Sequence, residues 1–231
     1  MQKFFSYSLL MVVAIMPLLS PVVLGDAPFN VTPESMKAAW GAVAVLLLLS
    51  GWLLLQSDSK ALTINKNTIY LPVVALMIWS IISLLWVEDG FLAATMLSQL
   101  VSYGLVMFLV MQLIKDKIES KVFLILSFVL CLVSIVGLLQ YYFPENFFIQ
   151  NMFVQTAKPG ATFANKNMAS HFLVMVLPLS IVGLLSSSTH RVRVFYTITT
   201  AVAGWFLIYT VARQGYLAIS VELLLLTLFL F

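Results

Sequence analysis

Lys166 stands between two asparagines in the polar stretch Gly160-Ala161-Thr162-Phe163-Ala164-Asn165-Lys166-Asn167-Met168-Ala169, and Arg213 follows one helical hairpin later. These few residues have chemistry to offer in a chain that is otherwise mostly hydrocarbon. Asn165 and Asn167 are good N-cap residues for the apolar run that begins beside them. Capping accounts for one asparagine; a second, with a lysine between, points to ligand binding. Free N–H groups at a helix start carry partial positive charge, and adding Lys166 and two amide donors builds an anion site. Thr162 in the same stretch and Lys158 just ahead of it extend the set of candidate substrate-binding groups. Arg213 interrupts two apolar runs and is followed by Gln214 and Gly215. Its planar guanidinium suits forked recognition of a phosphate, which makes it the candidate catalytic residue. The simpler role for it is snorkelling to lipid headgroups.

Two further titratable groups lie close by in sequence. His171 follows Asn167 by one helical turn and is a candidate base or donor, against the commoner role of bonding a neighbouring carbonyl. Glu222 lies in the last apolar run, about 13.5 Å further along a helix than Arg213. A carboxyl inside a membrane is costly and therefore a functional candidate; protonation or pairing elsewhere would also account for it. Cys131 is the single cysteine and sits in an apolar run, which excludes an intrachain disulfide and a cysteine-based metal centre. No metal or other cofactor is called for, and no basic tract points to nucleic acid.

The elements that must position these groups are membrane helices. The chain has 231 residues, 62% of them hydrophobic and 9% charged, and a mean hydropathy of +1.06. A soluble domain carries about 25% charged residues. Long apolar runs with short polar breaks define an all-α polytopic membrane protein, since a spanning helix needs about 20 apolar residues. The breaks divide the chain into eight spans, near 4–25, 38–55, 69–87, 92–114, 122–143, 168–185, 194–212 and 215–231, in a single transmembrane domain over 1–231. The first is read as a retained helix rather than a signal peptide, because its apolar run is long and its cleavage signal weak. The segment from Pro144 to Asn167 exceeds the usual 2–8 residues of a helix connection. Its aromatic and apolar content predicts an irregular or re-entrant piece before the sixth span.

Orientation follows from the cations. With the N-terminus cytoplasmic, eight lie in inner loops (Lys3, Lys60, Lys66, Lys115, Lys117, Lys121, Arg191 and Arg193) and four outside (Lys37, Lys158, Lys166 and Arg213). The bias places the N-terminus inside. Three of the four outer cations then fall in or beside the polar stretch and its neighbouring hairpin.

The block from Thr162 to Ala169, followed by an apolar helix with Leu177-Pro178-Leu179, resembles the O-antigen ligase superfamily, which also holds O-antigen polymerases and bacterial protein O-oligosaccharyltransferases. A second block, Thr210-Val211-Ala212-Arg213-Gln214-Gly215-Tyr216-Leu217, is similar to that family's Thr-x-Ser-Arg-Gly pattern. Here Ala212 replaces the serine, Gln214 is inserted before the glycine, and Met168 stands where many members have histidine. The resemblance implies transfer of a glycan from an undecaprenyl pyrophosphate carrier to an acceptor hydroxyl on lipid A core, another glycan or a protein, at the outer face of the bacterial inner membrane. It implies no metal or nucleotide sugar. Arg213 would bind the pyrophosphate, with Lys166, Asn165 and Asn167 around it, and membrane lipids would surround the chain. Family members are longer and carry an acceptor-activating histidine in a large outer loop, so this chain is expected to be the N-terminal part of such an enzyme. Two other classes compete: a small transporter or permease component using Glu222 and Arg213, and a non-catalytic membrane subunit.

Overall fold

The computed structural model describes residues 2–18, 33–57, 68, 70–113, 116–145, 159–163 and 165–230. Among them are eight α-helices: α1 (Gln2–Ile15), α2 (Pro33–Ser57), α3 (Tyr70–Ser83), α4 (Gly90–Leu113), α5 (Asp116–Tyr142), α6 (Lys166–Ser186), α7 (His190–Thr210) and α8 (Arg213–Leu230). Short 3₁₀ turns lie at Met16–Leu18, Leu84–Trp86 and Ala161–Phe163, and no strand occurs among the described residues. Three helical stretches are long and apolar enough to cross a membrane: Lys121–Tyr142, Lys166–Ser186 and His190–Thr210. They match the fifth, sixth and seventh expected spans to within a few residues. Four shorter apolar stretches, Phe4–Leu18, Gly41–Leu53, Tyr70–Trp86 and Met96–Gln112, correspond to the first four. The expected re-entrant piece falls largely on 146–158, outside the described residues.

The chain forms two compact units. The first comprises Met1–Val13 and Ala38–Ile118. Its core is Leu9 of α1, Val45 and Trp52 of α2, and Leu109 of α4. Trp52 meets Phe108 edge to face at 5.5 Å, an arrangement aromatic quadrupoles favour. Buried Gln112 donates to the Tyr70 hydroxyl at 3.0 Å, and an apolar cleft of about 630 Å³ lies between α3 and α4, under Val73, Met77, Val101 and Gly104.

The second unit comprises Ala14–Lys37 and Glu119–Phe231. Leu130 and Val133 of α5, Leu173 and Leu177 of α6, Ala203 and Phe206 of α7, and Ile219 of α8 meet in one core. Between membrane helices the packing itself must supply the attraction, because lipid tails are as apolar as leucine, so small residues that make room for close packing are favoured at the contacts. Three glycines do this. Gly137 lies under the ring of Phe206, Gly183 under the ring of Tyr196, and Gly215 against Ser170. The contacts fix the directions: α5 runs with α7, α6 runs with α8, and the two pairs are opposed. The end of α5, the starts of α6 and α8 and the end of α7 therefore share one end of the unit.

A side chain at Gly137 has nowhere to go, since its Cβ would fall 2.1 Å from Phe206 Cε2 and Cζ. Gly137→Val is expected to lower the stability of the detergent-solubilised protein by about 1–3 kcal/mol. In a denaturation series, Phe206→Leu combined with Gly137→Val should recover part of that loss, because the two sites are in contact.

Candidate functional site

The end shared by α5–α8 carries most of the residues singled out from sequence. Asn165 has extended backbone (φ −135°, ψ 123°), and its Oδ1 accepts the Asn167 N–H at 2.8 Å. It is the N-cap of α6. The first intrahelical bond runs from Ala169 N–H to the Asn165 carbonyl at 3.0 Å, which leaves the Lys166 and Met168 N–H groups without an intrahelical acceptor. Asn167 enters the cap through its backbone, and its side chain is exposed.

Arg213 opens α8 as Lys166 opens α6. The residue before it, Ala212, has no side-chain oxygen, so it offers the first N–H groups of α8 no side-chain cap. Gly215 brings the two helix starts together: its Cβ position is 3.0 Å from Ser170 Cβ, one turn into α6. The Tyr216 hydroxyl donates to the Ile208 carbonyl at 2.6 Å, tying the first turn of α8 to the last turn of α7. Between these helices lies only Val211-Ala212, and Val211 takes the left-handed conformation (φ 50°, ψ 37°). That conformation costs a side-chain-bearing residue roughly 1–2 kcal/mol. Lys166 is half-buried and Arg213 is exposed, and neither has an ion-pair partner among the described residues.

The approach to α6 is held by residues that sequence reasoning did not single out. Gln140 on α5 is buried, and its amide grips one peptide unit from both sides. Its Oε1 accepts the Ala161 N–H at 2.8 Å, and its Nε2 donates to the Ala161 carbonyl at 3.0 Å. Ala161 is the other non-glycine residue with positive φ among the described residues, at 50°. Thr162 is buried, and its hydroxyl donates to the Pro17 carbonyl, so it acts in anchoring the segment. A lone glutamine two residues from the end of an apolar helix was the signal for this clamp, and only its buried partner turns it into a structural statement.

The remaining candidates are spread out. His171 is exposed and makes no hydrogen bond to a neighbouring carbonyl among the described residues, contrary to the commoner role expected of it. Glu222 is half-buried on α8, and its Oε2 is enclosed without a hydrogen-bond partner among the described residues. It lies on the turns of α8 beyond the Gly215 contact, away from the cationic end. Lys158 lies outside the described residues. No group of His, Cys, Asp and Glu that could hold a metal is found among the described residues.

Fold and site together define a helical membrane protein in which two helix starts, each opening with a cation, are packed side by side. No protein-family model, curated protein or solved structure matches the chain.

The clamp is the site's most testable part. Gln140→Leu keeps the volume of the side chain and strands the N–H and carbonyl of Ala161 in a buried setting. The expected loss is about 1–3 kcal/mol for each stranded group at most, accompanied by faster proteolysis within 159–165. Unchanged proteolysis would mean that the segment is held without Gln140.

Proposed function

We propose that this chain binds a polyprenyl pyrophosphate-linked glycan and serves in its transfer to an acceptor hydroxyl of a lipid, a glycan or a protein, as the membrane part of an O-antigen ligase-like glycosyltransferase. One observation carries the reading. Lys166 and Arg213 each occupy the first position of a helix, and Gly215 packs those two helices together. The helix macrodipole disfavours a cation there by about 0.3–1 kcal/mol, and favours an anion by as much. Two such positions side by side concentrate positive potential and uncapped N–H donors at one end of the unit. A pyrophosphate answers both features. It brings negative charge, and its several oxygens can accept from Arg213, Lys166 and the backbone.

The chemistry follows from the charge. Cleavage of the glycosyl–pyrophosphate bond leaves negative charge on the departing phosphate. Fixed donors aimed at that charge lower the barrier, because they need no reorganisation as it develops. Arg213 takes the forked contact with the leaving pyrophosphate. Lys166, Asn167 and the first N–H groups of α6 take the remaining oxygens, and Asn165 keeps the helix start in place. The reaction so read needs no metal or other cofactor. In this reading the chain makes eight spans in the bacterial inner membrane with its N-terminus cytoplasmic, and the cationic end faces outward.

Orientation and chemistry can be tested separately. With Cys131 replaced by serine, an impermeant thiol reagent applied from outside should label Gln214→Cys and leave Ser188→Cys unlabelled. The opposite pattern would put the cationic end in the cytoplasm. Arg213→Lys, in the full-length protein at matched membrane abundance, should lower turnover of a lipid-linked glycan about a hundredfold, corresponding to about 3 kcal/mol. Lysine keeps the charge and loses the planar fork. Equal rates would reduce Arg213 to a headgroup contact and remove the proposed role.

A further inference from the structure

The cationic end of the second unit carries an aromatic cluster outside the anion site. Tyr141 and Tyr142 close α5, and Tyr209 lies in the last turn of α7. The rings of Tyr141 and Tyr209 are stacked, with centroids 4.0 Å apart and planes tilted by 34°. Tyr142 stands across both, at 89° to Tyr141 and 74° to Tyr209. Its hydroxyl meets that of Tyr209 at 2.7 Å. Tyr141 and Tyr142 remain 43% and 48% exposed. The cluster is therefore a fixed right-angled corner of aromatic surface, open to its surroundings, with a hydroxyl pair on one wall.

We propose that Tyr141, Tyr142 and Tyr209 form a stacking platform for the sugar ring nearest the pyrophosphate of a lipid-linked glycan. The inference rests on the anion site proposed above and names what lies beside it. A pyranose ring presents C–H groups of slightly positive character on its faces, and an aromatic face carries the complementary negative quadrupole. Its rim presents hydroxyls, each both donor and acceptor. The Tyr142–Tyr209 pair uses one donor and one acceptor site between them, and the Trp205 indole N–H, which can only donate, takes up further acceptor capacity of the two hydroxyls. One O–H and the remaining lone pairs are left for a ligand. The position is also right. Tyr209 and Arg213 are separated by three residues, so their Cα atoms are at most about 14 Å apart. A sugar joined directly to a pyrophosphate on Arg213 reaches that far back along α7.

Interfacial tyrosines also serve as membrane anchors, each with its ring at headgroup depth and its hydroxyl toward water. In this cluster two of the hydroxyls are turned to one another, and the rings of two helices are assembled into one surface. That arrangement does little for anchoring and presents a shaped face to a ring-shaped ligand.

The experiment compares two probes on the full-length protein in nanodiscs: polyprenyl pyrophosphate alone, and the same lipid bearing one N-acetylhexosamine. The wild-type protein should bind the glycosylated probe about five- to tenfold more tightly. Tyr141→Ala with Tyr209→Ala should abolish that difference and leave affinity for the bare carrier unchanged, while Tyr141→Phe, which keeps the ring, should retain most of it. Equal affinity of the wild type for both probes overturns the platform and leaves the anion site standing. Equal weakening of both probes by the alanine pair also overturns it, since the tyrosines would then be supporting the fold. Failure of both probes to bind overturns the anion site itself, and failure of the glycosylated probe alone overturns the platform.

Discussion

A backbone N–H or carbonyl shut away from water must find a partner within the protein. That requirement shapes the second unit more than any single side chain. Its helices meet it by themselves. The non-helical approach to α6 does not, and it persists because Gln140 satisfies both polar groups of Ala161 and Thr162 ties the next residue to Pro17. Once that approach is fixed, Asn165 is placed to cap α6, and Lys166 becomes the first residue of a helix rather than a residue in a loop. The positive φ at Ala161 belongs to the same economy. A strained conformation is kept where the surroundings over-determine it, and such places cluster where ligands bind.

Electrostatics and packing act on the same few residues from opposite sides. Cations at helix starts are poorly placed for the helices that bear them. The close approach of α6 and α8 makes this worse by bringing the two starts together, and it is purchased by removing a side chain at Gly215. Stability alone gives no reason for the arrangement. The ligand proposed for this end, with its concentrated negative charge, would supply one, because it would convert two unfavourable positions into one favourable site. The aromatic corner at the end of α5 and α7 supplies neutral, shaped surface next to that charge.

Much of the second unit was legible in the sequence. Its three long apolar runs are uninterrupted and bounded by polar breaks, so the ends of α5, α6 and α7 fall close to where hydropathy and capping signals put them. Asn165 was readable as a cap because the apolar run starts directly behind it. The rest depends on contacts distant in sequence. Nothing local marks Ala161 or Val211 for positive φ, since neither is glycine or asparagine. Gln140 reads as a stray polar residue until Ala161 is placed against it. Nothing local marks Tyr142 and Tyr209 as a pair, since 67 residues separate them. His171 shows the converse: its helical position suggested a role, and it points to the surface. In the first unit the helices are apolar over shorter stretches, and sequence pattern separated its elements better than it fixed their lengths.

The joint between α7 and α8 has a consequence for how this chain can vary. Only Val211 and Ala212 lie between them, and the left-handed turn leaves no slack to take up a change in length. Each residue of an α-helix turns it by about 100° and advances it by 1.5 Å. One residue gained or lost at this joint would therefore swing every group on α8 around its axis. Gly215 would leave Ser170, a bulkier neighbour would enter the gap, and Glu222 would exchange its half-buried position for another face of the helix. The joint behaves as a gauge that sets the phase of α8, tolerant of substitution at its surface and intolerant of insertion.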